Sequence, residues 1–77
     1  MVIVKSYLKI LLAEKEVREH RTISLRKLIE ESGASASTVN RLANNTIRRL
    51  PLDDLATICT YLECEIGELL RLEKDDR

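Results

Sequence analysis

Between Ser32 and Leu52 the chain carries no acidic residue, and its polar side chains there are of a narrow kind: Ser, Thr, Asn and Arg. Placed on a helix at about 100° per residue, with Val39 and Leu42 turned inward, Ser37, Arg41 and Asn44 form one outward row, flanked by Asn40 and Thr38. Arginine can grip guanine through two hydrogen bonds, and asparagine can do the same for adenine. Serine or threonine reaches base edges or phosphates. A carboxylate would repel the phosphates, and none interrupts the stretch. The face therefore suits a helix lying in the major groove of duplex DNA. The competing reading is an ordinary solvated face in a small helical bundle, so the surroundings must decide.

Two short helices joined by a tight turn are needed to present that row. Leu25, Leu28 and Ile29 recur at helical spacing behind a capping oxygen at Ser24, and the pattern stops at Gly33, the residue most at ease in the left-handed conformation that ends helices. Ser35 offers a second N-cap. Val39, Leu42 and Ala43 make the next inner stripe, with Ala36 at its edge, until Asn44-Asn45 signals a stop. The motif spans about residues 24–45.

The flanks supply the remaining elements. Met1-Val2-Ile3-Val4 reads as a strand fragment or an apolar lead-in. From about Lys5 onward, Leu8, Leu11 and Leu12 follow Val4 at helical spacing, with Lys9, Glu14, Lys15 and Glu16 mostly opposite. Val17 to Thr22 breaks that period and reads as a connection or frayed end that carries positive charge toward Ser24. After the central pair comes a basic loop, Thr46-Ile47-Arg48-Arg49. Leu50-Pro51-Leu52-Asp53 opens another helix, because proline and a carboxylate both suit a first turn. Its inner stripe is Leu55, Ile58, Cys59 and Leu62. A break at Glu63-Cys64-Glu65 precedes a last short helix over 66–72 with Ile66, Leu69 and Leu70 inward, then a charged tail, 73–77. The expected fold is all-α: a compact five-helix bundle containing a helix-turn-helix, in one domain over 1–77.

Composition agrees with this reading and narrows function. The 77 residues are 44% apolar but contain no Phe or Trp, two Gly and one Pro, so Leu, Ile and Val must fill a small helical core. Net charge is zero but divided. Residues 1–50 hold ten Lys/Arg against five Glu, a net +5, and residues 51–77 hold three against eight acids, a net −5. A positive face can thus meet phosphate while an acidic one points away. No apolar run is long enough to span a membrane and no cleavage site follows Met1 to Leu12, so a cytoplasmic, bacterial-type protein is expected. His20 stands alone, and Cys59 and Cys64 have no third ligand at metal spacing, so no metal or cofactor is expected and both cysteines read as buried free thiols. The chain shows no Gly-rich phosphate cradle and no nucleophile–base pair, which excludes the common catalytic constellations.

Leu28, Gly33, Ser35, Thr38-Val39, Leu42 and Asn44, followed by the arginine pair and LPLDDLATICTYLECEIGELL, resemble the Cro/C1-type helix-turn-helix domain of Xre-family transcriptional regulators. The short stand-alone bacterial branch, with a cysteine in each of the last two helical segments, is the nearest pattern, and the resemblance covers roughly residues 7–72. It implies a lambda-repressor-like DNA-binding domain whose second motif helix enters the groove. It also implies that Ala36, Ser37, Asn40 and Arg41 stand where bases are read, and that Ser35, Thr38, Asn44, Thr46, Arg48 and Arg49 stand where phosphates are met.

These readings converge on a sequence-specific regulator of double-stranded DNA, acting as a repressor by promoter occupancy and taking no small-molecule ligand. The alternative is a protein-interaction module, such as an antitoxin or anti-regulator, that uses its acidic C-terminal half. Because one recognition helix covers few base pairs, a homodimer is expected at least on DNA. Leu69, Leu70 and Leu72, with the segment 2–4, are the candidate interface.

Overall fold

Leu8, Leu28, Val39, Leu42, Ile58, Leu62 and Leu69 come from five helices and are each 2% exposed or less. They meet because every helix carries one apolar stripe that water would otherwise wet, each such side chain contributing about 1.5–3 kcal/mol when buried. A computed structural model describes residues 2–74 in the order β1 (Val2–Ser6), α1 (Leu8–Glu19), α2 (Leu25–Ser32), α3 (Ala36–Ala43), α4 (Leu52–Leu62), α5 (Ile66–Leu69) and β2 (Leu70–Lys74). Residues 75–77 of the expected charged tail lie outside the described residues.

The five helices match the expected number, but the fold is not purely α. β1 and β2 form a two-stranded antiparallel sheet with Val4 opposite Leu72 and Ser6 opposite Leu70. The last helix therefore stops at Leu69, three residues earlier than its apolar spacing predicts. Leu70-Arg71-Leu72-Glu73 alternates apolar and charged, a period-2 pattern that is satisfied once β1 supplies a hydrogen-bonding partner. Of the residues expected inward, Leu69 is as expected and Ile66 is not. Leu69, a candidate dimer contact, is wholly buried in the core, whereas Ile66, expected inward, is half exposed. Leu70 is half-buried against the core and Leu72 is exposed.

Helix ends follow local chemistry. Ser24 Oγ accepts from the Lys27 N–H at 3.1 Å, and Gly33 ends α2 at φ 79°. Left-handed residues also end three other helices: His20 after α1, Asn45 after α3 and Glu63 after α4. At the last of these, the Cys64 N–H returns to the Cys59 carbonyl at 3.0 Å and the Glu63 N–H to Thr60 at 3.3 Å, the paired bonds that satisfy orphan carbonyls at a helix C-terminus. Cys59 and Cys64 form no disulfide and are half-buried rather than fully buried, and desolvation pushes the Cys64 thiol up to about 12.

The segment 17–22 proves more ordered and less basic than expected. α1 continues through Glu19, and Arg21 is held by Glu19 at 2.8 Å and by both oxygens of Glu31 at 2.7 and 2.8 Å. The Tyr61 hydroxyl donates to the same Glu31. Lys15, expected on the solvent side, is 6% exposed, pairs with Glu19 at 2.6 Å and sits 4.5 Å from the centre of the Tyr61 ring. These five side chains form one network that ties α1, α2 and α4 together.

That network has a pH signature. Arg21 first, then the Tyr61 hydroxyl, hold the Glu31 carboxyl down to about 2, against an unfolded value of about 4.3. The folded state thus resists protonating Glu31. Its stabilising share is complete above the unfolded value and is lost as pH falls toward the folded one. Thermal melting at stepped pH should show stability falling between roughly pH 4.5 and 2. Glu31→Gln should melt lower at neutral pH and lose part of that slope. An unchanged slope in the variant would remove Glu31 from the account.

Candidate nucleic-acid interface

α3 turns two faces to different worlds. Val39 and Leu42 are buried on one side, while Ala36, Ser37, Asn40, Arg41 and the capping Asn44 are exposed on the other. The outward row inferred from the 100° period is thus a single exposed surface. The helix begins directly after the Gly33 turn. Ser35 holds the N-cap position, yet its side chain makes no capping hydrogen bond.

The cap comes from elsewhere in the chain. Asp54, in the first turn of α4, accepts from the Ser35 N–H at 3.2 Å and from the Thr38 hydroxyl at 2.7 Å. A carboxylate there satisfies an orphan donor and meets the positive end of the α3 dipole. Thr38 is consequently 6% exposed, unlike the other candidate contacts, and its hydroxyl proton is committed to Asp54. Sequence reading missed Asp54 because nothing local links it to a helix start nineteen residues earlier.

At the far end of α3, Asn45 takes a left-handed conformation, φ 57°, and the Thr46 N–H reaches back to the Arg41 carbonyl at 2.9 Å. The Asn45 side-chain oxygen accepts from the Ser6 N–H at 2.6 Å, which fastens β1 to the loop that leaves α3. This second missed residue had a signal, since Asn is among the few residues that enter the left-handed region readily. The exposed loop then carries Thr46, Arg48 and Arg49 around a shallow hollow of about 700 Å³ that Thr38 and Arg41 also line.

Charge pairing sharpens the electrostatic picture. Of the ten cations in residues 1–50, Lys5, Lys15, Arg18, Arg21 and Arg26 each have a carboxylate within 4.0 Å. Among the described residues Lys9, Lys27, Arg41, Arg48 and Arg49 have no such partner. Three of these five unneutralised charges border the one hollow beside α3. The arrangement offers guanidinium donors, short polar side chains and no acid on the exposed helix face, which is the chemistry of a phosphate-flanked groove reader. The described residues contain no cluster of three or more His, Cys, Asp or Glu able to hold a metal, and no helix long and apolar enough to cross a membrane.

Comparison with known proteins follows the same line. The solved structure of the transcriptional regulator VanUg is similar in fold, with a TM-score of 0.63 at 24% sequence identity, covering 96% of this chain and 89% of that one. No curated protein sequence matches the chain. Residues 8–75 match the family model of the Cro/C1-type HTH DNA-binding domain, and with nearly all of its length inside that match, the chain belongs to the Cro/C1-type helix-turn-helix family.

Proposed function

We propose that this protein recognises a specific duplex DNA sequence through α3 and acts as a transcriptional regulator, a repressor that works by occupying a promoter. The observation that carries the reading is the convergence of Arg41, Arg48 and Arg49, guanidiniums without carboxylate partners among the described residues, on one hollow beside an acid-free helix face. The description of the similarly folded VanUg as a transcriptional regulator agrees with it. In this reading Ala36, Ser37, Asn40 and Arg41 face the bases, while Ser35, Asn44, Thr46, Arg48 and Arg49 meet phosphates. Thr38, at the edge of the hollow, and Asp54 hold the first turn of α3 in place.

Base reading and positioning separate by mutation. Arg41→Ala should cost about 1–3 kcal/mol on the preferred site and relax the preference at one base pair. Arg48→Ala or Arg49→Ala should weaken preferred and random duplexes by similar factors and flatten the salt slope by about one unit. Binding isotherms on a selected site and a scrambled duplex make the comparison. If Arg48→Ala shifted the preferred sequence and Arg41→Ala did not, α3 would not be the reading helix.

Two domains on half-sites about 34–36 Å apart would supply the specificity one helix lacks. We propose a homodimer built on the sheet, where Val2, Val4 and Leu72 share a face at 59, 56 and 74% exposure beside half-buried Leu70. Leu69 supports that surface from the core rather than contacting a partner. Leu72→Glu should therefore lower the protomer count per duplex from two to one in sedimentation without unfolding the domain. One wild-type protomer per duplex at saturation, on an asymmetric site, would rule out the dimer.

A further inference from the structure

A second apolar surface lies outside α3 and touches the sheet face only at Leu70. Leu50, Leu52, Leu55, Ile66 and Leu70 line a groove of about 430 Å³ between the start of α4 and α5, within the usual range of binding pockets of roughly 300–1,000 Å³. Leu50, Leu52 and Ile66 are 61, 72 and 50% exposed, so the groove presents large side chains to water with no element of the described chain across them. Scattered leucines need no explanation, but three around one groove mark an interaction surface.

The charge at one end of the groove indicates what would fill it. The groove shares Cys59, Thr60, Cys64 and Glu65 with an adjoining hollow that Glu63 and Glu68 complete. Glu65 and Glu68 spend their oxygens on backbone N–H groups in a capping box, and no cation lies within ion-pair distance of either among the described residues. Glu63 has only Arg18, at 3.9 Å. The opposite end, at Leu50, adjoins Arg49 of the basic loop. The groove is therefore mostly apolar along its length, and its charged border is acidic, at the Glu65 end.

We infer that this groove docks an amphipathic, basic segment of another protein, its apolar side chains between Leu52 and Ile66 and its Lys or Arg residues over Glu63, Glu65 and Glu68. A helix with apolar residues at i, i+3, i+4 and i+7 fits such a groove by burying one stripe. The carboxylates then fix its direction, since the reverse orientation would leave its cations away from Glu63, Glu65 and Glu68. The groove meets the arginine hollow beside α3 only at Leu50, so a regulator bound to DNA through α3 would keep the stretch from Leu52 to Ile66 free for a partner.

The test uses the full chain and two synthetic helical peptides with the same leucine face, one carrying lysines at one end and the other glutamates. Fluorescence anisotropy should show saturable binding of the lysine peptide, about fivefold tighter than the glutamate peptide, the scale expected of a few solvent-exposed charge pairs. Leu52→Ser with Ile66→Ser should abolish binding while leaving the circular dichroism and DNA affinity unchanged. Glu65→Gln with Glu68→Gln, which keeps the capping acceptors, should shrink the difference between the peptides to what Glu63 alone supports. Equal binding of both peptides to the wild type, or no binding of either, would overturn the inference. So would wild-type dimers that Leu52→Ser disperses and Leu72→Glu does not, since the groove would then belong to a second copy.

Discussion

Raising monovalent salt from 50 to 200 mM should weaken duplex binding by about 150- to 500-fold per bound domain, because each phosphate neutralised by a Lys or Arg releases condensed counterions and a slope of about −3.6 to −4.5 follows from four to five such contacts. The number of contacts comes from charge pairing rather than composition. Residues 1–50 contain ten cations, but five are already neutralised by carboxylates, leaving Lys9, Lys27, Arg41, Arg48 and Arg49. Titrating a selected duplex at stepped salt and plotting log K against log concentration gives the slope directly. A flat plot, or no binding to any selected duplex, would defeat the DNA reading and bring the acidic C-terminal surface forward as the functional one. A slope near −10 for a single domain would mean that the Arg21 and Lys15 network opens on binding.

Leu69→Ala should destabilise the domain by about 2–5 kcal/mol, the range for deleting a buried leucine side chain and leaving a cavity. For a domain whose whole stability is of order 5–15 kcal/mol, that is enough to lower its melting temperature markedly. The cost should fall at the upper end because Leu69 is fully enclosed. Its carbonyl also accepts from the Tyr7 N–H at 2.8 Å, so the same residue joins the end of α5 to the start of α1. The contrast with Leu72→Glu is informative. Leu72 is three residues further along but projects from the sheet, and its replacement should change association and spare the melting temperature. Denaturant titration of both variants checks this. If Leu69→Ala melted like the wild type and failed to dimerise, the burial of α5 would be misassigned.

The helix-turn-helix was legible in the sequence because its determinants are local. Gly33 ends α2 in the left-handed region, Ser24 caps it, and the 3.6-residue spacing of Leu28, Val39 and Leu42 dictates which residues of α3 can face water. Ser37, Asn40 and Arg41 could be placed on one exposed face from that period alone. So could the five-helix count and the unbroken basic loop at 46–49.

Tertiary structure decided what depends on a distant partner. Leu69 to Leu72 is apolar enough for a helix and alternates enough for a strand. Only the presence of β1, more than sixty residues earlier, pairs its backbone and ends α5 at Leu69. Asp54 caps α3 from another helix, which commits the Thr38 hydroxyl to it, and Asn45 is tied to Ser6 by a side-chain bond between residues 39 positions apart. The useful positive charge was likewise hidden, since ion pairs such as Arg21 with Glu31 join residues ten positions apart. Periodicity reports which face of an element is buried. It carries no information about which element, strand or carboxylate arrives to cover it.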